Sequence, residues 1–463
     1  MRNICYYYYY LMGRLRRLYF MQLPESRSQL KQSRTWFIVD ACTSVSILNL
    51  VGGAFLASLL RELKVSDAIN GTVTSVVSLG ALAQLAGAAM TKDMRKVKLF
   101  VSLLALTHRL MYALLFFIPF WPIHPKAKIL LFIVIFTGAK FIGNSVNPSA
   151  SSWLVSLVPA SVRGKYMARR DFVSILCMMV ITLGYSFILD AYKEAGLVKA
   201  GFQIGGLLVL ILALTNFIAL TSIREPRFSN LNEDQLEIHG GRYRRLQKEK
   251  TQKNNFWVII KGCLQDRPYR KVLFMTAAWF AAFHFSSSYF GIYQVKELGL
   301  SYSYLMTVAF GSNLVRILIT PYLGRYADKK SWGKATRNGL MLFGAAFFVN
   351  AFAVPANGKI VYLLFMLLSA VAAPGVNLGI FNLQFEKTVG TDKTPYIGLN
   401  SAIAGTVGFL SAIVGGGVLN AVSARSNQVF GLFLYGQQLL SFLSAAGIFL
   451  LVLVVEFKLV RNS

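Results

Sequence analysis

The chain alternates apolar runs of about 20 residues with shorter polar segments, and a helix of this length crosses a hydrocarbon core of about 30 Å. Because lipid offers no hydrogen-bond partners, each run must satisfy its own backbone polar groups as a helix. The pattern therefore predicts an all-α membrane protein with twelve transmembrane helices. The predicted spans are 36–60, 67–91, 97–121, 128–157, 171–190, 201–223, 272–294, 301–324, 334–354, 359–384, 396–423 and 430–456.

Composition and charge support a membrane topology. Of the 463 residues, 55% are hydrophobic and 14% are charged, whereas soluble domains have about 25% charged residues. The formal net charge is +29, and if both termini are cytoplasmic, most Lys and Arg residues fall on the cytoplasmic side of the spans. This asymmetry follows the positive-inside rule. The basic excess thus indicates topology and contact with the lipid bilayer, and no nucleic-acid partner is needed to explain it.

The cysteines and the N-terminal segment carry little functional signal. Cys5, Cys42, Cys177 and Cys263 are too scattered in the sequence for a disulfide framework or a metal site, so neither a metal nor a cofactor is expected. Residues 1–20 contain a tyrosine run and lack the apolar core of a signal peptide. We expect the functional start to be Met21; the alternative is a basic, aromatic interfacial tail.

The long polar stretch after the sixth span divides the chain into two sets of six spans. Landmarks recur at nearly the same offset in both sets: Gly87 corresponds to Gly324, and Asn147 to Asn382. A duplicated six-helix unit is the arrangement of an alternating-access transporter. The predicted units are a cytoplasmic tail over 1–35, a bundle over 36–223, a cytoplasmic linker over 224–271, a second bundle over 272–456 and a C-terminal tail over 457–463.

The segment after span 8, GRYADKKSWGK, resembles the signature of the major facilitator superfamily, roughly G-x-x-x-D-R-x-G-R-K. The matching positions are Gly324, Asp328, Lys329, Gly333 and Lys334, with two additional residues before the second glycine. Glycine lets helices pack closely, and the acid can pair with a neighbouring base or lie at a helix N-terminus. Such a turn is predicted to stabilise one access state; a generic basic turn is the alternative interpretation.

Two further segments extend the resemblance. The first half carries a degraded copy of the signature, GAAMTKDMRKVK, which keeps Gly87, Asp93 and Arg95. After span 4, LVPASVRGKYMARRDF, with Arg163 and Gly164, is similar to the loop between spans 4 and 5 of many bacterial members. The resemblance covers most of the chain and is to a bacterial branch whose substrates are mostly unassigned.

The resemblance implies a fold of two pseudo-symmetric six-helix bundles in the cell membrane, with both termini cytoplasmic. It implies secondary active transport of a small-molecule solute by a monomer, with spans 1, 4, 7 and 10 lining the central cavity. H⁺ and Na⁺ both stay open as coupling ions, as does the direction of transport.

Each of the four predicted cavity helices carries a polar stripe at spacings of three and four residues. Asn and Ser in membrane helices also serve helix packing, and for any single residue that interpretation stays open. The candidate binding residues are Asn49 in span 1; Lys140, Asn144 and Asn147 in span 4; His284 and Gln294 in span 7; and Asn377 in span 10.

Lys140 and Arg316 lie well inside their spans, where a base costs about 2.5–3.5 kcal/mol even on a lenient insertion scale. The acids of the spans lie near predicted span ends: Asp40, Asp171 and Glu386 at the cytoplasmic side and Asp190 at the outer side. Two deep bases without a deep carboxylate suggest that an anionic solute is the missing partner. The alternative is that both bases bind backbone carbonyls, amides and water.

Arg109 also lies inside a span, in LALTHRLMYALLF. The resemblance makes span 3 peripheral, so we expect Arg109 to be a structural brace that bonds polar groups of span 2 or span 4. His284 and Asp40 are equal candidates for a role in proton coupling.

Two other classes of function compete with a solute transporter. An exporter or flippase of amphipathic drugs or lipids would share the same fold and use the Phe- and Tyr-rich spans. An enzyme is not expected, because the sequence contains no H-E-x-x-H zinc motif, no P-loop and no nucleophile elbow.

Overall fold

A computed structural model describes residues 27–80, 82–83, 97–158, 160–224, 262–386, 394–425, 427–429 and 432–457. The helices of the first half are α1 (Arg27–Leu50), α2 (Gly53–Glu62), α3 (Asp67–Ser75), α4 (Val97–Leu115), α5 (Pro125–Leu157), α6 (Ala160–Glu194) and α7 (Val198–Ser222). Those of the second half are α8 (Arg267–Ser287), α9 (Phe290–Ile292), α10 (Tyr302–Lys330), α11 (Trp332–Asn350), α12 (Gly358–Glu386), α13 (Thr394–Ala424) and α14 (Gly436–Val455). Short 3-10 segments follow α3 (Val76–Leu79) and α4 (Ile118–Phe120), and a π-helical turn (Tyr293–Glu297) follows α9.

The prediction of an all-α membrane fold is confirmed. In the described part of the chain, eight helices are long and apolar enough to cross a membrane, or nine if α1 and α2, which meet at 45°, form one span. Helices α8 and α11 occupy two more of the predicted spans, and α3 begins another.

The break in the first span has a local cause. Gly53 has a φ of 51°, which lies in the left-handed region that glycine adopts without a steric penalty. The α1 helix ends before this residue and α2 starts from it at an angle. Elsewhere, serine side chains fix helix starts: Ser66, Ser301 and Ser331 each accept a hydrogen bond from a backbone amide of the helix that follows.

The three largest of the apolar cores in the described part of the chain pack many of its helices together. One joins the starts of α1 and α4 to the ends of α5 and α7 around Phe37 and Trp153. A second lies within the second half around Trp279 and Phe347. The largest contains residues of both halves, including Phe55 and Tyr302. We call the end of the molecule at which α1 and α8 begin the basic end, which the charge pattern predicts to be cytoplasmic; the shared core lies at the opposite end.

Several sequence-based boundaries were wrong. Span 12 was predicted from residue 430, but strands β1 (Gln428–Val429) and β2 (Leu432–Phe433) pair antiparallel there, and the helix begins at Gly436. Arg163 and Gly164 were placed in a loop, but α6 already begins at Ala160. The bounds of the predicted linker over 224–271 stay a prediction, since residues 225–261, like residues 1–26, lie outside the described residues.

Candidate solute-binding site

Each half of the described structure contains a pocket lined by several of its helices. The first-half pocket has a volume of about 290 Å³ and is lined by α1, α4, α5, α6 and α7. The second-half pocket has a volume of about 400 Å³ and is lined by α8, α9, α10, α11 and α12. Spans 1, 4, 7 and 10, which the resemblance implies as cavity helices, all contribute side chains to these pockets.

Lys140 lines the first-half pocket and is only 4% exposed. Its Nζ lies 5.1 Å from the ring centroids of both Tyr112 and Phe136, over the faces of the rings. Within the described ranges the ammonium group of Lys140 has no hydrogen bond and no ion pair. Cation–π contacts of this kind compensate only part of the desolvation of an ammonium group, so the geometry leaves Lys140 able to bind an anion.

Asp40 lines the same pocket at the centre of a polar network. The Arg109 Nη2 donates to Ser44 Oγ at 2.7 Å and lies 3.8 Å from Asp40 Oδ1. Arg170 approaches Asp40 Oδ2 to 3.9 Å, and Asn216 Nδ2 donates to Asp40 Oδ1 at 2.9 Å. One carboxylate thus faces two guanidinium groups.

This network corrects one expectation. We expected Arg109 to bond polar groups of span 2 or 4, but its partners Ser44 and Asp40 belong to span 1. Asp40 lines the same pocket as Lys140. Arg109 Nη1 is buried and has no hydrogen-bond partner in the described structure. With Lys140, Arg109 and Arg170 against Asp40, the pocket has more positive than negative charge.

The candidate asparagines differ in position. Asn144 lines the first-half pocket and donates its Nδ2 to the Lys140 carbonyl at 2.9 Å. A Cβ at Gly80 would collide with this amide, so the glycine makes room for it. Asn147 lines the pocket and is exposed. Asn49 is exposed as well, but it lies outside the lining of both pockets and donates to Val45 O at 3.0 Å.

The second-half pocket combines one base with amide, hydroxyl and aromatic groups. Arg316 is half-buried there, and its guanidinium has no hydrogen bond or ion pair with any residue that the structure describes. The hydroxyls of Ser312 and Ser369, which also line the pocket, are buried without a partner among the described residues. Asn377 is exposed at its edge. The remaining wall is largely aromatic: Trp279, Phe280, Phe283, Phe290, Phe343 and Phe365.

Two predicted span 7 residues occupy separate positions. His284 lines the second-half pocket, and its Nε2 lies 3.4 Å from Ser78 Oγ of the first half. Gln294 lies in a third pocket of about 230 Å³ between the halves, whose lining includes Gly53 and Gly291. The structure therefore distributes the predicted binding residues other than Asn49 over three pockets, and it places Lys140 and Arg316 in different ones.

At the end opposite the basic end, polar contacts join the two halves and close the molecule. The sequence gives no signal for this gate. Lys296 Nζ donates to Asp67 Oδ2 at 2.7 Å across the halves. Partial burial disfavours the charged form of Lys296, but the hydrogen bond and charge of Asp67 outweigh it and raise the pKa of the lysine. Asp190 of α6 accepts from the backbone amides of Tyr302 and Ser303 at 2.9 and 2.6 Å, at the start of α10.

The signature residues lie at the basic end in the second half. Gly324 is inside α10, and a Cβ built on it would meet nothing within 4 Å, so close packing does not account for this glycine here. Asp328 and the exposed Lys329 belong to the last turns of α10, and Gly333 is buried in the first turn of α11. The first-half positions Gly87, Asp93 and Arg95 lie outside the described residues.

The sequence profile of the Major Facilitator Superfamily matches residues 41–416. No curated protein sequence matches the chain.

Solved transporters share the fold at low identity. The nucleoside transporter NupG is 14% identical, with 93% of this chain and 99% of that chain covered and a TM-score of 0.58. A D-xylose-proton symporter is 14% identical, with 91% and 95% covered and a TM-score of 0.59. An auto-inhibited POT family peptide transporter is 14% identical, with 94% and 97% covered and a TM-score of 0.62.

Proposed function

Since the chain belongs to the major facilitator superfamily, we propose that it is a secondary active transporter that moves a small anionic solute across the cell membrane by alternating access. The observation that carries the proposal is Lys140, an ammonium group that is 4% exposed and lines a pocket without an ion pair in the described ranges. A buried base in a membrane protein requires a partner, and the solute supplies it.

The second-half pocket contributes the other contacts of the proposed site. Arg316 offers a forked donor suited to a carboxylate or phosphate, and Ser312 and Ser369 offer hydroxyls without partners among the described residues. The aromatic wall beside them suits the apolar part of an organic anion. An organic anion with its charged group near Lys140 or Arg316 uses both kinds of surface.

Coupling to H⁺ or Na⁺ is part of the proposal. The D-xylose-proton symporter among the structural neighbours supports H⁺. Asp40 faces Arg109 and Arg170 in the first-half pocket and His284 lies at the contact between the halves, so both stay candidates for the proton-carrying group. We propose that the protein acts as a monomer.

The aromatic wall also supports a second candidate function, the export or flipping of an amphipathic drug or lipid. Cationic amphiphiles fit poorly, because Lys140 and Arg316 repel them. This alternative predicts that neutral or anionic amphiphiles bind independently of the two bases.

The first test is a thermal-shift screen of the detergent-purified protein against anionic, neutral and cationic solutes, with Lys140→Gln and Arg316→Gln in parallel. A ligand at 100 times its dissociation constant stabilises its target by about 2.7 kcal/mol. We expect an organic anion to stabilise the parent protein and to lose most of this effect in both variants.

Matched controls separate the two bases from general charge effects. Lys126→Gln removes an exposed lysine from the first turn of α5, the helix of Lys140, and Arg325→Gln removes an exposed arginine from α10, the helix of Arg316. Both controls are expected to respond like the parent. Stabilisation by neutral amphiphiles alone, unchanged in all four variants, would instead support the exporter.

A further inference from the structure

A fourth pocket, of about 300 Å³, lies between the start of α8 and the end of α14 at the basic end. We call it the basic groove. Its charged rim comes from the first turns of α8, and its apolar floor comes from the next turn of α8 and the end of α14. Both surfaces face one space. The lining residues are Arg267, Arg270, Lys271, Phe274, Met275, Val454 and Val455.

The rim carries three bases, and two of them have no acidic partner among the residues that the structure describes. Arg267 and Arg270 are exposed and form no ion pair within the residues that the structure describes. Glu456, which follows the groove in sequence, pairs with Arg337 at 2.7 Å. Asp266 accepts a hydrogen bond from a backbone amide at the start of α8 at 3.3 Å. The groove therefore attracts anions.

The floor is suited to a hydrocarbon chain. Phe274 is 56% exposed although it is a large apolar side chain within a helix of the bundle. The last residues of α14 belong to a segment with a mean hydropathy of 2.4. Bases next to exposed apolar side chains at the ends of two spans are expected where the hydrocarbon core meets the headgroup layer.

From this juxtaposition we infer that the basic groove is a binding site for an anionic phospholipid. The phosphate of the lipid binds Arg267, Arg270 and Lys271, and an acyl chain lies along Phe274 and Val454. Basic pockets between transmembrane helices at the cytoplasmic side bind such headgroups, and this groove offers the acyl chain a surface that a free anion would not need.

The test uses the full-length protein in mild detergent, with native mass spectrometry to count retained lipids and a titration to measure affinity. The probes are phosphatidylglycerol, phosphatidylcholine and inorganic phosphate. We expect retention of phosphatidylglycerol in preference to phosphatidylcholine. A triple variant, Arg267→Gln, Arg270→Gln and Lys271→Gln, is expected to bind phosphatidylglycerol about a hundredfold more weakly, since each surface base contributes about fivefold.

A control with the same change of charge at the same end combines Arg325→Gln, Lys329→Gln and Lys330→Gln, all exposed on α10; it should bind like the parent. Phe274→Gln should weaken phosphatidylglycerol binding with the bases intact. The inference is wrong if the control triple weakens binding as much as the groove triple. It is also wrong if inorganic phosphate competes fully with the lipid, which would identify a free-anion site.

Discussion

At the scale of single residues, Asp40 determines how many positive charges the first-half pocket leaves without a partner. Its carboxylate is 14% exposed and lies near two guanidinium groups, those of Arg109 and Arg170. In Asp40→Asn, Arg109 loses its counter-charge and Arg170 keeps only the exposed Asp171. Breaking a buried ion pair on one side costs about 3–5 kcal/mol. We expect a lower midpoint of thermal unfolding in detergent, corresponding to the lower end of that range because Asp40 is partly exposed.

The neighbouring acid provides the control for this prediction. Asp171 also contacts Arg170, at 3.4 Å, but its side chain is 64% exposed. Asp171→Asn is therefore expected to cost less than about 1 kcal/mol. Equal midpoints for the two variants would show that the Asp40 network contributes no more to stability than a surface pair.

Single residues also show what sequence could predict about the site. Lys140 and Arg316 stand out because a base inside an apolar run is costly wherever the chain folds. Asp40 is a candidate from sequence as an acid within a predicted span, but its contacts with Arg109 and Arg170 form between helices that are far apart in the chain. Which bases share a pocket depends on tertiary packing between helices far apart in sequence, and no spacing within one helix contains that information.

At the scale of elements, Asp190 ties the start of α10 to the end of α6. Its carboxylate accepts from the amides of Tyr302 and Ser303 and thus caps α10 from the other half of the molecule. Hydrogen bonds to a charged acceptor contribute about 1.5–3 kcal/mol. These bonds stabilise the closed arrangement of the opposite end. Asp190→Ala is therefore expected to raise the population of molecules in which that end is open by about tenfold or more.

Thiol labelling measures this opening. Ala68→Cys places a thiol at a position that is 7% exposed, near Gly416 of the second half. Its rate of reaction with a maleimide should rise about tenfold when Asp190→Ala is added. Glu194→Ala, an exposed acid at the end of the same helix, should leave the rate unchanged. An unchanged rate in Asp190→Ala would mean that the cap does not hold the opposite end closed.

Elements were predictable where hydropathy alone defines them, as for α5 and α12, whose bounds lie close to the predicted spans. The breaks between helices within a span were not predictable from hydropathy. The interruption at Gly53 lies within predicted span 1, and the change from α8 to α9 lies within predicted span 7. Hydropathy measures whether a residue tolerates lipid, whereas a break depends on backbone angles and on the contacts that replace the lost helical bonds.

At the scale of the whole molecule, the two halves meet at the opposite end, while candidate binding residues are exposed away from that contact. The Lys296–Asp67 pair and the shared core around Phe55 and Tyr302 join the halves there. The duplication predicted two halves from sequence. Which end is closed depends on contacts between the halves that neither half defines alone.

The final prediction concerns the face from which the interior is reached. Asn147 and Asn377 are exposed, in the first and second half respectively, and the closed contacts lie at the opposite end. If the basic end is cytoplasmic, a membrane-impermeant maleimide should label Asn147→Cys and Asn377→Cys in inside-out vesicles and not in right-side-out vesicles. Lys126→Cys, exposed in the first turn of α5, should show the reverse and so reports the orientation of each preparation. Labelling of the two asparagine positions from the same face as Lys126→Cys would contradict an interior open at the basic end, whatever the solute proves to be.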